Sequence, residues 1–333
     1  MATQLVGKKV RRYLSLGAVA LAVLGLGWIN VLQALGRIDS YYNGILILVM
    51  INVILAVSLN LINGITGQFS IGHAGFMAVG SYTSALLSLY LQWPFAAALA
   101  AGMAASGVMG LLVGIPTLRL RGDYLAIATL GFGEIIRVVI LNLEITGGPR
   151  GLPGIPPATT FFVAEGLAAL TILVIANLIN SAHGRAMLAV REDEIAAETM
   201  GVNATRYKVT AFAVGAAFAG LAGGLYAHYM MFIDPKSFGF FKSFEVLAMV
   251  VLGGLGSVTG SILSAAVLTY LPELLRQFAE LRMVLYAVLL IVMMLVRPQG
   301  LLGTWEISEA FRSLLRRPES GQEAGRRDVH GIA

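Results

Sequence analysis

Long apolar blocks separated by short polar connectors run along almost the whole chain. The blocks cover 14–35, 42–62, 74–91, 95–118, 124–143, 161–180, 209–231, 244–256, 258–274 and 283–296. Most approach the roughly 20 residues that an α-helix needs to cross about 30 Å of hydrocarbon. The pattern predicts an all-α, polytopic membrane helical bundle of about ten transmembrane helices. The pair around Gly253, Gly254 and Gly256 admits two readings. As one element, re-entrant or not, 244–274 is about twice the length a single span needs; as two short helices joined at the glycines it gives an even number of crossings, and the charge distribution favours this second reading. The block 14–35 is too long for a signal-peptide core and shows no small-residue cleavage site before Arg37, so it reads as a retained first span.

Charge then orients the bundle. With ten crossings both termini share a side with the connectors 119–123 and 181–208, and that side collects sixteen basic residues, including Lys8, Lys9, Arg119, Arg121, Arg185, Arg191, Arg206, Lys208, Arg297 and Arg312. The opposite side holds six, namely Arg37, Arg150, Lys236, Lys242, Arg276 and Arg282, and Arg137 lies within a span. Positive residues stay inside, so both termini of this multi-pass protein are expected in the cytoplasm. The resulting organisation is a basic N-terminus over 1–13, a transmembrane domain over 14–303 with a cytoplasmic segment at 184–208, and a polar cytoplasmic tail over 304–333.

Composition agrees. The 333 residues are 57% hydrophobic and 12% charged, with a mean hydropathy of +0.81. Soluble domains carry about 25% charged residues, so the chain lacks the polar surface to be one. There is no cysteine, which removes disulfides, thiolate metal sites and cysteine nucleophiles. His73, His183, His228 and His330 are too scattered for an H-E-x-x-H metal site, and no nucleophile motif appears. No metal or cofactor is expected. A glycine-rich phosphate loop is also missing, so any ATP hydrolysis belongs to another chain.

Three stretches carry candidate function. The first runs from Asn60 to Phe76 and sets Gly64, Gly67, Gly72 and Gly75 among Asn63, Thr66, Gln68, Ser70 and His73. Glycines this dense weaken a helix, and irregular backbone survives in a membrane only when buried in protein or lining a watery cavity. It reads either as a broken helix beside a solute pathway, with Asn63, Gly64, Gly67, Gln68, Gly72, His73 and Gly75 as its candidate residues, or as close packing through small residues. A capping or packing role suits His73 better than a ligand role. Comparable glycines at 253–260 in the second half point weakly to an internal repeat around a central path.

The second stretch, 118–137, places Glu134 and Arg137 three apart on one helix face, where they can pair. Such charges are costly within a span and face the bundle interior, as a neutralised packing pair or as a gate. A rigid, turn-rich loop follows over 147–156. The third stretch, 184–203, is the longest polar connector. Glu192, Asp193 and Glu194 suit a helix start, Ala196, Ala197 and Met200 give a small apolar stripe, and Gly201 can stop the helix. A short amphipathic helix on the cytoplasmic face suits docking into a groove on a soluble partner. Its acidic start disfavours the alternative of a helix lying on anionic lipid.

These stretches, with 217–229, 245–260 and 297–303, make the chain resemble the M-type permease subunit of branched-chain amino-acid ABC importers from about Gly44 to Gly303. The resemblance implies a type II ABC importer permease-like fold with broken or re-entrant segments, and transport rather than catalysis. It also implies a second related permease subunit, two ATP-binding subunits and an extracytoplasmic solute-binding protein as partners. Permeases of this kind present a cytoplasmic Glu-Ala-Ala-x-x-x-Gly element to the ATPase. The element falls on Ile195, Ala196, Ala197 and Gly201, with Glu194 just before it, so the first position departs from the pattern. Urea or short amides remain an alternative cargo. A self-contained channel or carrier is the alternative of another class, and would need relay acids or histidines deep in several spans. Glu134 and Glu165 qualify by position, and Glu134 has a ready partner in Arg137.

Overall fold

In the computed structural model the described residues are 39–117, 120 and 122–276, with single positions at 281, 284, 287, 288, 291, 295 and 300. They belong to one unit, Gly36–Trp305. The expected N-terminus, first span and tail, and most of the expected last span, lie outside them.

The order is α1 Ser40–Asn60, α2 His73–Tyr90, α3 Phe95–Thr117, α4 Asp123–Asn142, α5 Phe161–Asn180, α6 Ala182–Glu192, α7 Glu194–Thr199, α8 Ala204–Met230, α9 Phe240–Gly253 and α10 Val258–Leu274. A π-helical turn, Leu61–Ile65, extends α1. Two short strands, β1 Leu152–Pro153 and β2 Phe232–Ile233, pair antiparallel with Leu152 opposite Ile233. They tie the loop between α4 and α5 to the end of α8, while α6 and α7 lie in the connector between α5 and α8. An all-α membrane bundle is therefore what the sequence builds. Among the described residues five segments are long and apolar enough to span, namely Ser40–Ile65, Phe95–Thr117, Asp123–Asn142, Phe161–Asn180 and Ala204–Met230.

Those spans are not equivalent. The most apolar window of Ser40–Ile65 is 78% buried and that of Ala204–Met230 is 67%, against 28% for Asp123–Asn142 and 22% for Phe161–Asn180. The α1 and α8 helices form the centre, and α4 and α5 offer apolar faces outward. Lipid gives no hydrophobic drive between helices, so the centre coheres by close backbone approach and hydrogen bonds through small residues. Gly80 of α2 lies directly on the backbone of Gly220 in α8. The Ser81 hydroxyl donates to Gly223 O at 2.8 Å, and that of Ser106 in α3 donates to Phe76 O at 2.8 Å.

Two boundaries differ from the hydropathy reading for one reason: charge inside a helix hides its end. The α8 helix starts at Ala204 rather than 209, with Asn203 Oδ1 accepting from Arg206 N at 2.9 Å as its cap. Lys208, in its second turn, pairs with Glu194 at 2.7 Å. The α9 helix starts at Phe240 rather than 244, which places Lys242 inside a helix instead of in an outer connector. The ambiguous region 244–274 is two helices. They fold back antiparallel at Gly254–Ser257, with Gly253 against Gly260 and the Ser264 hydroxyl on Met249 O. At 14 residues, α9 rises about 21 Å, short of a full hydrocarbon crossing.

Candidate functional site

The two glycine-rich interruptions, far apart in sequence, meet. At the first, α1 widens into its π turn, and the Thr66 hydroxyl is a second donor to carbonyls that backbone amides already hold, at 3.1 Å to Leu61 O and 2.7 Å to Ile62 O. Gly67 then turns the chain at φ 68°, a conformation that costs a side-chain-bearing residue dearly. Asn63 pairs with the Ser70 backbone through both of its amide atoms, at 3.1 and 3.2 Å. Ile71 N donates to Thr129 Oγ1 at 3.1 Å, and Ala74 N, in the first turn of α2, to Ser243 Oγ at 3.2 Å. Side chains of two other helices, Thr129 of α4 and Ser243 of α9, thus satisfy backbone that a helix would have satisfied itself.

The second interruption contributes Gly254 and Gly256, both at positive φ, before Ser257 caps α10 by accepting from Gly260 N at 3.0 Å. Asn60 Oδ1 accepts from Gly256 N at 2.8 Å, and a Cβ on Gly64 would come 2.8 Å from Gly256 Cα. Gly300 sits on the same place, where its Cβ would lie 2.5 Å from Gly254 N. One hub therefore joins α1, its π turn, the α9–α10 turn and Gly300.

The structure gathers Asn63, Gly64, Gln68, Gly72, His73 and Gly75 into this buried neighbourhood, with Gly67 exposed at its rim. Gly72 packs on the Thr129 backbone, and a Cβ on Gly75 would fall 2.8 Å from Gly133 Cα. His73 Nε2 shares a hydrogen bond with the Ser58 hydroxyl at 2.9 Å. Gln68 is only 2% exposed, yet among the described residues neither its Oε1 nor its Nε2 has a partner. Asn60 Nδ2, Ser70 Oγ and His73 Nδ1 share that condition. Unpaired buried polar groups cost about 1–3 kcal/mol each, and five of the six such side-chain atoms among the described residues lie in this hub.

Glu134 and Arg137 do pair, Oε2 to Nε at 2.7 Å, with a quarter to a third of each side chain exposed. Arg137 lies beside Gly239 at the start of α9. One turn on, sequence reasoning missed a second pair: Lys242 Nζ bonds Glu245 Oε2 and Asn52 Oδ1, each at 3.1 Å, and Asn52 Nδ2 reaches Thr269 Oγ1 at 2.9 Å. The signal was available, since Lys242 and Glu245 repeat the i, i+3 spacing of Glu134 and Arg137. Glu134→Gln leaves Arg137 without its carboxylate. Because both groups are partly exposed, about 1–2 kcal/mol of destabilisation is expected rather than the full cost of a buried charge. Thermal melts in detergent should show the loss, and should show it largely restored in the double variant Glu134→Gln, Arg137→Met.

The 184–208 segment holds most of α6, all of α7 and the start of α8, with α6 and α7 separated by the single extended residue Asp193. Glu192 ends α6, whereas Asp193 caps α7 by accepting from Ala196 N at 3.0 Å, and Glu194 opens it. Gly201, at φ 85°, donates to Glu198 O, and Val202 N donates to Ala197 O, each at 3.0 Å. With Val202 packed against Ala197, this is a complete Schellman stop. The expected stripe divides. Ala197 is 4% exposed and packs with Val190 and Ala204, whereas Ala196 faces outward with Ile195 at 64% and Met200 at 83%. No cluster of three or more His, Cys, Asp and Glu suited to a metal occurs among the described residues.

Comparison with known proteins gives this geometry a setting. The family model for the branched-chain amino acid transport system permease component matches residues 41–296. The high-affinity branched-chain amino acid transport system permease protein LivM of Escherichia coli K12 is 41% identical over 331 aligned positions, covering 89% of this chain and 76% of that protein. LivM of Salmonella typhimurium LT2 gives the same figures. LivH of E. coli K12, a permease protein of the same kind of system, is 34% identical over 39% of this chain and 42% of its own length. No solved structure matches. The matched region contains both interruptions, the Glu134–Arg137 and Lys242–Glu245 pairs and the α6–α7 segment, and the chain belongs to the branched-chain amino acid transport permease family.

Proposed function

We propose that this chain is the M-type permease subunit of an ABC importer that carries branched-chain amino acids into the bacterial cytoplasm. The observation that carries the reading is the 41% identity to LivM along 89% of the chain. A second, LivH-like permease would complete the membrane part, two ATPase subunits would supply the energy, and a binding protein outside would deliver solute. The apolar outward faces of α4 and α5 suit lipid and a partner permease. The hub around Asn63, Gly64, Gly67, Gln68, Gly72, His73 and Gly75 is the proposed wall of the pathway. Its unpaired Gln68 amide is the kind of group that a passing solute or water can satisfy. On the cytoplasmic face, α7 and Gly201 form the proposed ATPase contact, with Ile195, Ala196 and Met200 outermost and Ala197 beneath them.

The proposed topology has ten crossings with both termini inside, counting the short α9 as one, and rests on the excess of basic residues on the inner side, which moving Lys242 into α9 leaves intact. Reporter fusions at Glu192 and after Ser320 should read cytoplasmic, and one near Gly151 external. An external reading after Ser320 would remove the ten-crossing scheme. The functional test is uptake by proteoliposomes holding both permeases and the ATPases, with the binding protein and labelled leucine supplied at the periplasmic face. ATP-dependent leucine accumulation is expected. Accumulation of urea in its place would move the cargo to short amides, and solute flux through this chain alone would replace the importer with a channel or carrier.

A further inference from the structure

Arg191, in the last turn of α6, reaches away from the segment that carries it. Its Nη1 donates to Gly64 O at 2.6 Å, at the C-terminal end of α1 and its π turn. Its stem lies on Gly67, where a Cβ would be 3.0 Å from Cγ, and its Nη1 lies on Gly256, where a Cβ would be 2.7 Å away. One side chain thus touches both interruptions, and the glycines provide the room. The bond is charge-assisted and places a cation at the negative end of the α1 dipole, although Arg191 as a whole stays exposed. Two residues further on, Asp193 caps α7, so helices α6 and α7 are joined through a single extended residue (φ −156°, ψ 112°).

We propose that Arg191 is the strut that passes movement of α7 to the two glycine interruptions, which are the part of the pathway that changes shape. A shift of α6 by even a few ångströms breaks the bond to Gly64 O and withdraws the guanidinium from Gly256. The carbonyl it leaves then needs a new partner, and the two interruptions lose a charged side chain that bridges them. Movement at the cytoplasmic surface is thereby coupled to backbone that is not locked into a regular helix. The inference rests on the ABC importer reading, and it goes further by naming the residue and contact through which the ATPase acts.

The test uses the full complex of two permeases, ATPases and binding protein, with Arg191→Met and Arg191→Lys. Uptake per ATP hydrolysed is the discriminating quantity, because a residue that only holds the fold lowers both rates together. Arg191→Met should assemble and hydrolyse ATP while uptake per ATP falls about tenfold or more, the size expected for losing a charged hydrogen bond. Arg191→Lys keeps a charge and a donor and should recover much of the coupling. Because the chain has no cysteine, a single Ser70→Cys can also report on the hub. Its maleimide labelling should respond to ATP while Arg191 is in place, and should not respond in the Arg191→Met background. Wild-type uptake per ATP in Arg191→Met overturns the inference, as does loss of the assembled complex in both variants. Absence of ATP-driven uptake with Arg191 intact strikes the importer reading instead.

Discussion

Adding one methyl group at Gly80 is expected to remove most of the folded protein. Its Cβ would overlap the O, Cα and C atoms of Gly220, which are backbone and cannot swing aside. The α2 and α8 helices would have to separate, and α3 with them, because a Cβ on Gly102 would already lie only 2.7 Å from Gly80 O. The Ser81–Gly223 and Ser106–Phe76 hydrogen bonds would stretch in the same movement. Overpacking costs about 1–3 kcal/mol in an ordinary core, and a collision with backbone belongs at or above the top of that range. Gly80→Ala should therefore lose its monodisperse peak in detergent chromatography, or melt far below the native protein. Gly131→Ala is the matched control, since nothing lies within 4 Å of a Cβ there. It should be neutral or gain up to about 1 kcal/mol of helix propensity. Equal behaviour of the two variants would contradict the packing described for the bundle centre.

The second large effect concerns α7. Ile195→Asp combined with Met200→Asp changes the exposed apolar side chains of α7 and its C-cap, 64% and 83% exposed, and leaves the buried Ala197 in place. The permease should fold normally but fail to retain the ATPase, and uptake should fall by about a hundredfold or more, as for loss of a central apolar anchor. Ala197→Arg should fail differently. It forces a charge into the cluster with Val190 and Ala204, so the segment itself should unfold and protein yield should drop. Co-purification of the ATPase separates the two outcomes. Retention of ATPase and uptake by the Asp double variant would end the assignment of α7 as the docking element.

That contrast shows where sequence reading stops. Ala196, Ala197 and Met200 look equivalent on a helical projection, but the helix is only Glu194–Thr199, and Val190 of α6 and Ala204 of α8 pack against Ala197. Which alanine is covered depends on α6 and α8, and nothing local encodes their approach. The helix stop at Gly201 is legible because a Schellman turn needs a positive φ that glycine adopts freely. Glu134 and Arg137 are legible for a similar reason, since i, i+3 spacing fixes their neighbourhood within one helix. The Lys242–Glu245–Asn52 network escapes hydropathy because Lys242 reads as part of a connector and Asn52 lies in another helix.

Solvent, secondary structure and family follow from the sequence alone. Runs of apolar residues about a membrane thickness long leave helices as the way to satisfy the backbone, whatever surrounds them. The glycines at 64–75 and 253–260 also stand out as interruptions before any packing is known. Two features emerge only once the chain is packed: the two interruptions meet at Gly64 and Gly256, and Arg191 bridges them. The physical reason is range. Helix formation, capping and turn chemistry are set by neighbours a few residues apart. Contacts between interruptions nearly 200 residues apart depend on how every intervening helix packs, and small residues permit many close approaches before the whole bundle selects one.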